Sequence, residues 1–270
     1  MFVYLFNRFN IHCVKISFHT CSMRILFLLL FFFPVLVLAQ VQPTKNIQRQ
    51  DLLWVRYQNQ LTISPKLLLQ TEIDNRMFHS PMKQHHLVMR TQGRYMVAEH
   101  LQAGLGITYA LQYPQDPRST SDLVVPELRV QHDITLKQKL GKANLNHRYM
   151  LEERFIRKVE EQDLLPGYNF NFRFRYRLQV EVPLVKKETE DLGLVVYDEA
   201  MLNFGKTIGK NVFDQNRMYA GVKWGVTEAL ALELGYLYWF QQRSSGVDFY
   251  SREIARLSIY HKVTLKRNDK

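Results

Sequence analysis

From Tyr168 to Val182 apolar and polar side chains alternate without a break. Tyr168, Phe170, Phe172, Phe174, Tyr176, Leu178, Val180 and Val182 fall on one face, and Asn169, Asn171, Arg173, Arg175, Arg177, Gln179 and Glu181 on the other. A strand turns successive side chains to opposite faces, whereas an amphipathic helix repeats about every 3.6 residues, so the stretch is a strand. The pattern recurs at Leu101, Ala103, Leu105, Ile107, Tyr109 and Leu111, which alternate with the small or polar Gln102, Gly104, Gly106, Thr108 and Ala110.

Nine further segments carry the same signal: Leu53 to Leu61, Leu67 to Phe78, His85 to Met96, Val124 to Leu136, Ala143 to Phe155, Leu192 to Phe204, Gln215 to Val226, Leu230 to Phe240 and Ile254 to Leu265. Turn-forming stretches separate them, among them Ser64-Pro65-Lys66, Tyr113 to Asp122, Gly141-Lys142, Gln162 to Gly167 and Gln242 to Asp248. The expectation is an all-β chain of ten to twelve strands, twelve being favoured because single-chain outer-membrane barrels usually hold even numbers. The short turns follow the odd strands, the reverse of what a barrel entering from the periplasm would show.

The one long apolar run lies near the start. Ile25 to Ala39 is apolar apart from Pro34, follows Met23-Arg24 and ends Val37-Leu38-Ala39, the layout of an export signal cleaved after Ala39. It is shorter than the roughly 20 residues of a spanning helix. Residues 1–39 therefore read as leader and signal peptide, with translation starting at Met1 or Met23, and 40–270 as one barrel domain. Cys13 and Cys21 both precede the cleavage point, so the mature chain holds neither a disulfide nor a thiolate metal site.

Export and alternation fit two architectures with inverted faces, a soluble barrel or sandwich with its apolar face inside and a membrane barrel with that face against lipid. Strands of 11 to 15 residues in ten of the eleven segments, where soluble ones average about 5 or 6, favour the second. So do aromatic residues near strand ends, such as Tyr57, Tyr95, Tyr109, Tyr113, Tyr168 and Tyr260. The fold class expected is a closed antiparallel transmembrane β-barrel in the bacterial outer membrane.

That choice sends the charged face inward. Glu72, Arg76, Arg90, Arg94, Glu127, Arg129, Arg148, Glu152, Arg154, Arg173, Arg175, Arg177, Glu181, Glu199 and Arg217 then share the lumen, ten arginines against five glutamates. Arginine keeps its charge and presents a planar fork of donors, so it suits carboxylate pairing in a narrow interior. Glu152 is placed to pair with Arg173, Arg175 or Arg177 on the following strand. An ion-pair network filling the lumen is the leading reading; a small anion-selective channel and a lipid-modifying outer-membrane enzyme are the alternatives.

The formal charge of +11 falls to +8 once Arg8, Lys15 and Arg24 are removed with the leader. The remaining basic residues are scattered and not gathered into a block, so nucleic acid is not an expected partner. Outer-membrane lipid and the barrel-assembly machinery are. No metal-ligand spacing, phosphate loop or nucleophile elbow occurs, and no cofactor or catalytic residue is assigned. His85 and His86 are adjacent, which in a regular strand puts their rings on opposite faces.

Asn146-His-Arg-Tyr-Met-Leu-Glu-Glu-Arg-Phe155 followed by Tyr168-Asn-Phe-Asn-Phe-Arg-Phe-Arg-Tyr-Arg177 resembles a bacterial outer-membrane β-barrel family, largely of Bacteroidetes, catalogued as domain of unknown function 2490. Trp54, Glu72-Ile-Asp-Asn-Arg76, Pro126-Glu-Leu-Arg129, Asp198-Glu-Ala-Met-Leu-Asn-Phe204, Gln215-Asn-Arg217 and Leu234-Gly-Tyr236 extend the resemblance over most of the mature chain. It implies an exported barrel and no established reaction. Barrels of this general kind often end in an aromatic residue, whereas this chain ends Leu265-Lys-Arg-Asn-Asp-Lys270.

Overall fold

The computed structural model describes residues 45–186 and 191–265; the expected signal peptide, its cleavage point and both cysteines lie outside them. The chain divides into Met1–Lys45 and Asn46–Lys270. The second unit is built from β1 (Asn46–Thr62), β2 (Leu67–Phe78), β3 (Lys83–Ala98), β4 (Leu101–Gln112), β5 (Val125–Leu140), β6 (Ala143–Glu160), β7 (Asp163–Lys186), β8 (Asp191–Phe204), β9 (Phe213–Gly225), β10 (Leu230–Gln242) and β11 (Asp248–Thr264). Each of the eleven segments expected from alternation overlaps one of these strands, in order, and the described residues contain no helix.

Every consecutive pair is an antiparallel hairpin, and the sheet closes on itself through β1 and β11. That last pair is parallel, running from Asn46 opposite Asp248 to Thr62 opposite Thr264. The favoured count of twelve and the wholly antiparallel closure are both corrected by this. When every hairpin reverses direction, all odd-numbered strands point the same way, so the first and last of eleven can meet only in parallel. A parallel ladder is slightly weaker per residue, yet closing it leaves no sheet edge with unpaired backbone groups.

The turn pattern read from the sequence is also present in the structure, with no strand missing among the described residues. Short turns join β1 to β2, β3 to β4, β5 to β6 and β9 to β10 at one end, whereas the longest connections, 113–124 and 205–212, join β4 to β5 and β8 to β9 at the other. β1 starts at the long-loop end and β11 finishes at the short-turn end.

Outward positions are largely apolar: Tyr57, Ile73, Leu105, Ile107, Ile134, Phe174, Val222, Leu234 and Tyr236 are all exposed. The inward positions carry buried charge, including Glu72, Glu127, Arg129, Glu152, Arg173 and Glu199. A water-soluble protein has the opposite arrangement, since burying apolar area and hydrating charge are the favourable directions in water.

Two local features depend on backbone detail. The β2–β3 register shifts between Arg76 and Met77, so that Arg76 faces His86 and Met77 faces Gln84. His85 is the extra residue of this bulge, which re-aims its side chain. The two histidines therefore do not lie on opposite faces: their rings sit 4.1 Å apart, both buried.

At Gly106, a Cβ would lie 2.5 Å from the Thr91 carbonyl oxygen and 2.8 Å from the Gln92 Cβ. That oxygen belongs to the β3 backbone and cannot yield without disturbing the ladder. Gly106→Ala is expected to lower stability by about 1–3 kcal/mol, read from the urea midpoint of the folded barrel. Gly93→Ala, where the nearest atom would be 3.9 Å away, serves as the tolerated control. Equal midpoints would show that the strands have room to separate.

Candidate functional site in the charged lumen

Inward side chains of β5, β6, β7 and β8 meet across the barrel because alternate residues of each strand share the inner face. Glu127, wholly buried on β5, accepts from Arg129 Nη2 at 2.6 Å and from Arg154 Nε of β6 at 2.6 Å. Glu152, also wholly buried, accepts from Arg173 Nε at 2.6 Å and Arg175 Nη1 at 2.8 Å, the cross-strand pairing its sequence position suggested. Glu199 of β8 takes Arg175 Nη2 at 2.8 Å and Arg148 Nη2 at 2.6 Å. Arg173 reaches on to Asp214 of β9 at 2.9 Å. Arg175 thus bridges Glu152 and Glu199, and Arg173 bridges Glu152 and Asp214.

A second set lies toward β2 and β3. Arg90 Nη1 pairs with Glu72 at 2.5 Å, and Arg76 pairs with Asp74 at 2.8 Å on its own strand. Arg94 lies 3.7 Å from Asp133 and donates to Gln102 at 3.1 Å. Glu181 accepts from Gln179 at 2.5 Å. Guanidinium and carboxylate so placed satisfy each other in a confined interior, and removing either member would strand its partner.

Arg177 and Arg217 behave differently. Neither has a carboxylate partner among the described residues; both rest on aromatic rings, Arg177 over Tyr197 at 5.3 Å and Arg217 over Trp54 at 5.3 Å and Trp239 at 4.7 Å. Sequence reasoning did not anticipate these rings inside the barrel. Leu52, Trp54, Phe78, Val195, Tyr197, Tyr219, Leu237, Trp239 and Ile254 form a buried cluster along the inner face of β1, β2 and β8 to β11. The lumen therefore has an ionic side and an aromatic side. Aromatic faces carry negative quadrupole charge and can hold a cation where no carboxylate is present.

Further participants were also missed. Asp74, Asp133, Asp214, Glu233, Arg56, Arg252 and Arg256 all join the interior. Asp74 could have been found, for it lies two residues from both Glu72 and Arg76 and so shares their face. Arg256 donates to Glu233 at 2.5 Å and lies over Tyr219 at 3.8 Å. Glycines on the neighbouring inner positions, Gly221 and Gly235, leave the space that the Tyr219 side chain fills.

Among the described residues, two cavities bear on this interior. The larger, about 1120 Å³, reaches the short-turn end, where Val226, Thr227, Glu228 and Ala229 line it, and its walls carry both signs of charge. The smaller, about 290 Å³, lies at the long-loop end beside Gln115, Arg243 and Ser244. Arg76, Arg90, Arg175 and Arg217 line both. Gln115 ties the long 113–124 loop into the interior: its side chain accepts from Arg252 at 2.9 Å and bonds His85 at 3.1 Å, and its carbonyl accepts from Gln50 at 2.7 Å.

The family model for "Protein of unknown function (DUF2490)" matches residues 52–250, from the first strand into the last. The chain belongs to this family. No curated protein and no solved structure matches it. The stretch matched by the DUF2490 model contains both aromatic supports of Arg217 and every ion pair described above except Arg256–Glu233, whose arginine lies just beyond its end.

Proposed function

We propose that this DUF2490 barrel resides in the bacterial outer membrane as a closed scaffold, its mid-lumen filled by the arginine–carboxylate network. The observation that carries this reading is the inversion of faces: apolar Leu105, Ile107, Ile134 and Leu234 point outward while Glu127, Glu152, Arg173 and Arg175 are buried inside. In hydrocarbon the outward side chains need no water, and closure leaves no backbone group unpaired. The apolar run Ile25 to Ala39 supplies the export step that such a location requires, and insertion would fall to the barrel-assembly machinery.

The arginines that line both cavities argue for a filled middle over an open pore. They are held by ion pairs or stacked on indoles, so a path between the cavities would have to break those contacts. A lipid-acting enzyme is less supported. The buried His85–His86 pair is engaged by Gln115 and by its own members, and the His85 ring packs on Phe78 and Trp239.

The protein should partition with outer membranes and migrate differently on electrophoresis before and after boiling, as a detergent-resistant barrel does. Recovery as a soluble periplasmic protein would overturn the location. Planar-bilayer recordings of the purified barrel are expected to show no steady current; a persistent anion-selective current would establish the channel in place of the scaffold.

A further inference from the structure

The smaller cavity has an unusual wall. Seven arginines and His86 line it, and no aspartate or glutamate does. Five of those arginines spend one edge on carboxylates that lie outside the wall, such as Glu127 behind Arg129 and Glu152 behind Arg173 and Arg175. The other two, Arg217 and Arg243, have no carboxylate partner among the described residues and are held by rings instead, Arg243 over Tyr250 at 5.0 Å. Two guanidinium donors of the wall, Nε of Arg76, a residue only 7% exposed, and Nε of Arg217, have no acceptor, and neither has the indole N–H of Trp239. Gathering this much positive charge in a confined space is unfavourable unless something negative enters, and unsatisfied buried donors point the same way.

We propose that this cavity at the long-loop end is a binding site for a small molecule carrying two or more anionic oxygen groups. Guanidinium forks match the paired oxygens of phosphates and carboxylates, and several converging forks select for multiple charge. A volume of about 290 Å³ equals the share of about ten liquid waters, room for a pyrophosphate or a tricarboxylate but not for a polymer. Trp239 and Tyr250 supply an apolar wall beside the charged one. Gln115, carried by the 113–124 loop, and Arg243 and Ser244, from the 243–247 loop, also line it, so the ligand would arrive from that end. The site stands on the cavity and its donors whether or not the barrel lies in a membrane.

The test is calorimetric titration of the purified, folded full-length barrel in neutral detergent with inorganic pyrophosphate and, separately, with tricarballylate. Binding of pyrophosphate alone assigns a phosphate ligand, of tricarballylate alone a carboxylate ligand, and of both a site that reads charge. Arg217→Gln and Arg243→Gln are the variants of choice because neither breaks an ion pair. Each is expected to weaken binding by about tenfold or more, while Lys223→Gln, in the larger cavity, leaves it unchanged. If neither anion binds the wild-type barrel, or if both arginine variants bind as tightly as wild type, the proposal is wrong.

Discussion

Replacing Glu127 with alanine is expected to be the most damaging single substitution in the lumen, more so than replacing Glu152. Glu127 is wholly buried and serves Arg129 through two hydrogen bonds and Arg154 through one. Neither arginine has another carboxylate at ion-pair distance among the described residues; Arg154 otherwise reaches the Asn203 amide oxygen at 3.5 Å. Glu127→Ala leaves two buried cations uncompensated, and breaking even one buried pair costs about 3–5 kcal/mol. Glu152→Ala also strands two arginines, but Asp214 still holds Arg173 and Glu199 still holds Arg175. Its loss should therefore be smaller.

The measurement is the denaturant midpoint for refolding in detergent micelles, scored by the boiling-sensitive electrophoretic form. Glu127→Ala should shift it most, Glu152→Ala less, and Arg154→Met should restore part of the loss in the Glu127→Ala background by removing one stranded cation. Non-additivity of that kind is the signature of a direct pair. If Glu127→Ala folds with a wild-type midpoint, the network does not hold the barrel together.

The second large effect concerns the outer face. Leu105, on β4, is 59% exposed and points away from the lumen between the inward Gly104 and Gly106. In a bilayer-spanning barrel, arginine at a lipid-facing position costs about 2–4 kcal/mol at mid-depth, so Leu105→Arg should reduce assembly into membranes and lower the folding midpoint in lipid vesicles. On a soluble barrel the same change would add a hydrated surface charge and shift stability by less than about 0.5 kcal/mol. A Leu105→Arg barrel that folds normally in vesicles would count against the membrane reading directly. The Lys223→Gln variant, altered in the lumen, controls for general effects of charge.

Which parts of this were legible in the chain itself follows from which physical signals are local. In β7 the alternation of Phe and Arg is strict, so both the strand and its inner face could be read, and with them a pairing of Glu152 with Arg173, Arg175 or Arg177, of which the structure selects the first two. In β10 the run Leu230-Ala-Leu-Glu-Leu-Gly-Tyr-Leu-Tyr-Trp-Phe240 is apolar on both faces apart from the single charge of Glu233. No periodicity there distinguishes Leu237 and Trp239, which pack inside, from Leu234 and Tyr236, which point out. The aromatic half of the lumen was hidden for that reason. The histidine pair was hidden by the bulge, because a single extra residue in one strand changes which way its side chains point and leaves no compositional mark.

The sequence by itself determined the strands, their order and, wherever the alternation was clean, which face each residue takes, because a two-residue period is a property of neighbouring side chains. The tertiary structure decided what depends on residues far apart in the chain. Closure of eleven strands in parallel follows from the pairing of β1 with β11 around the whole barrel. The greater weight of Glu127 over Glu152 follows from which arginines have a second carboxylate within reach. The carboxylate-free cavity exists because seven arginines on six elements converge while their partners stay behind them, and convergence in space is what a linear pattern of charges cannot encode.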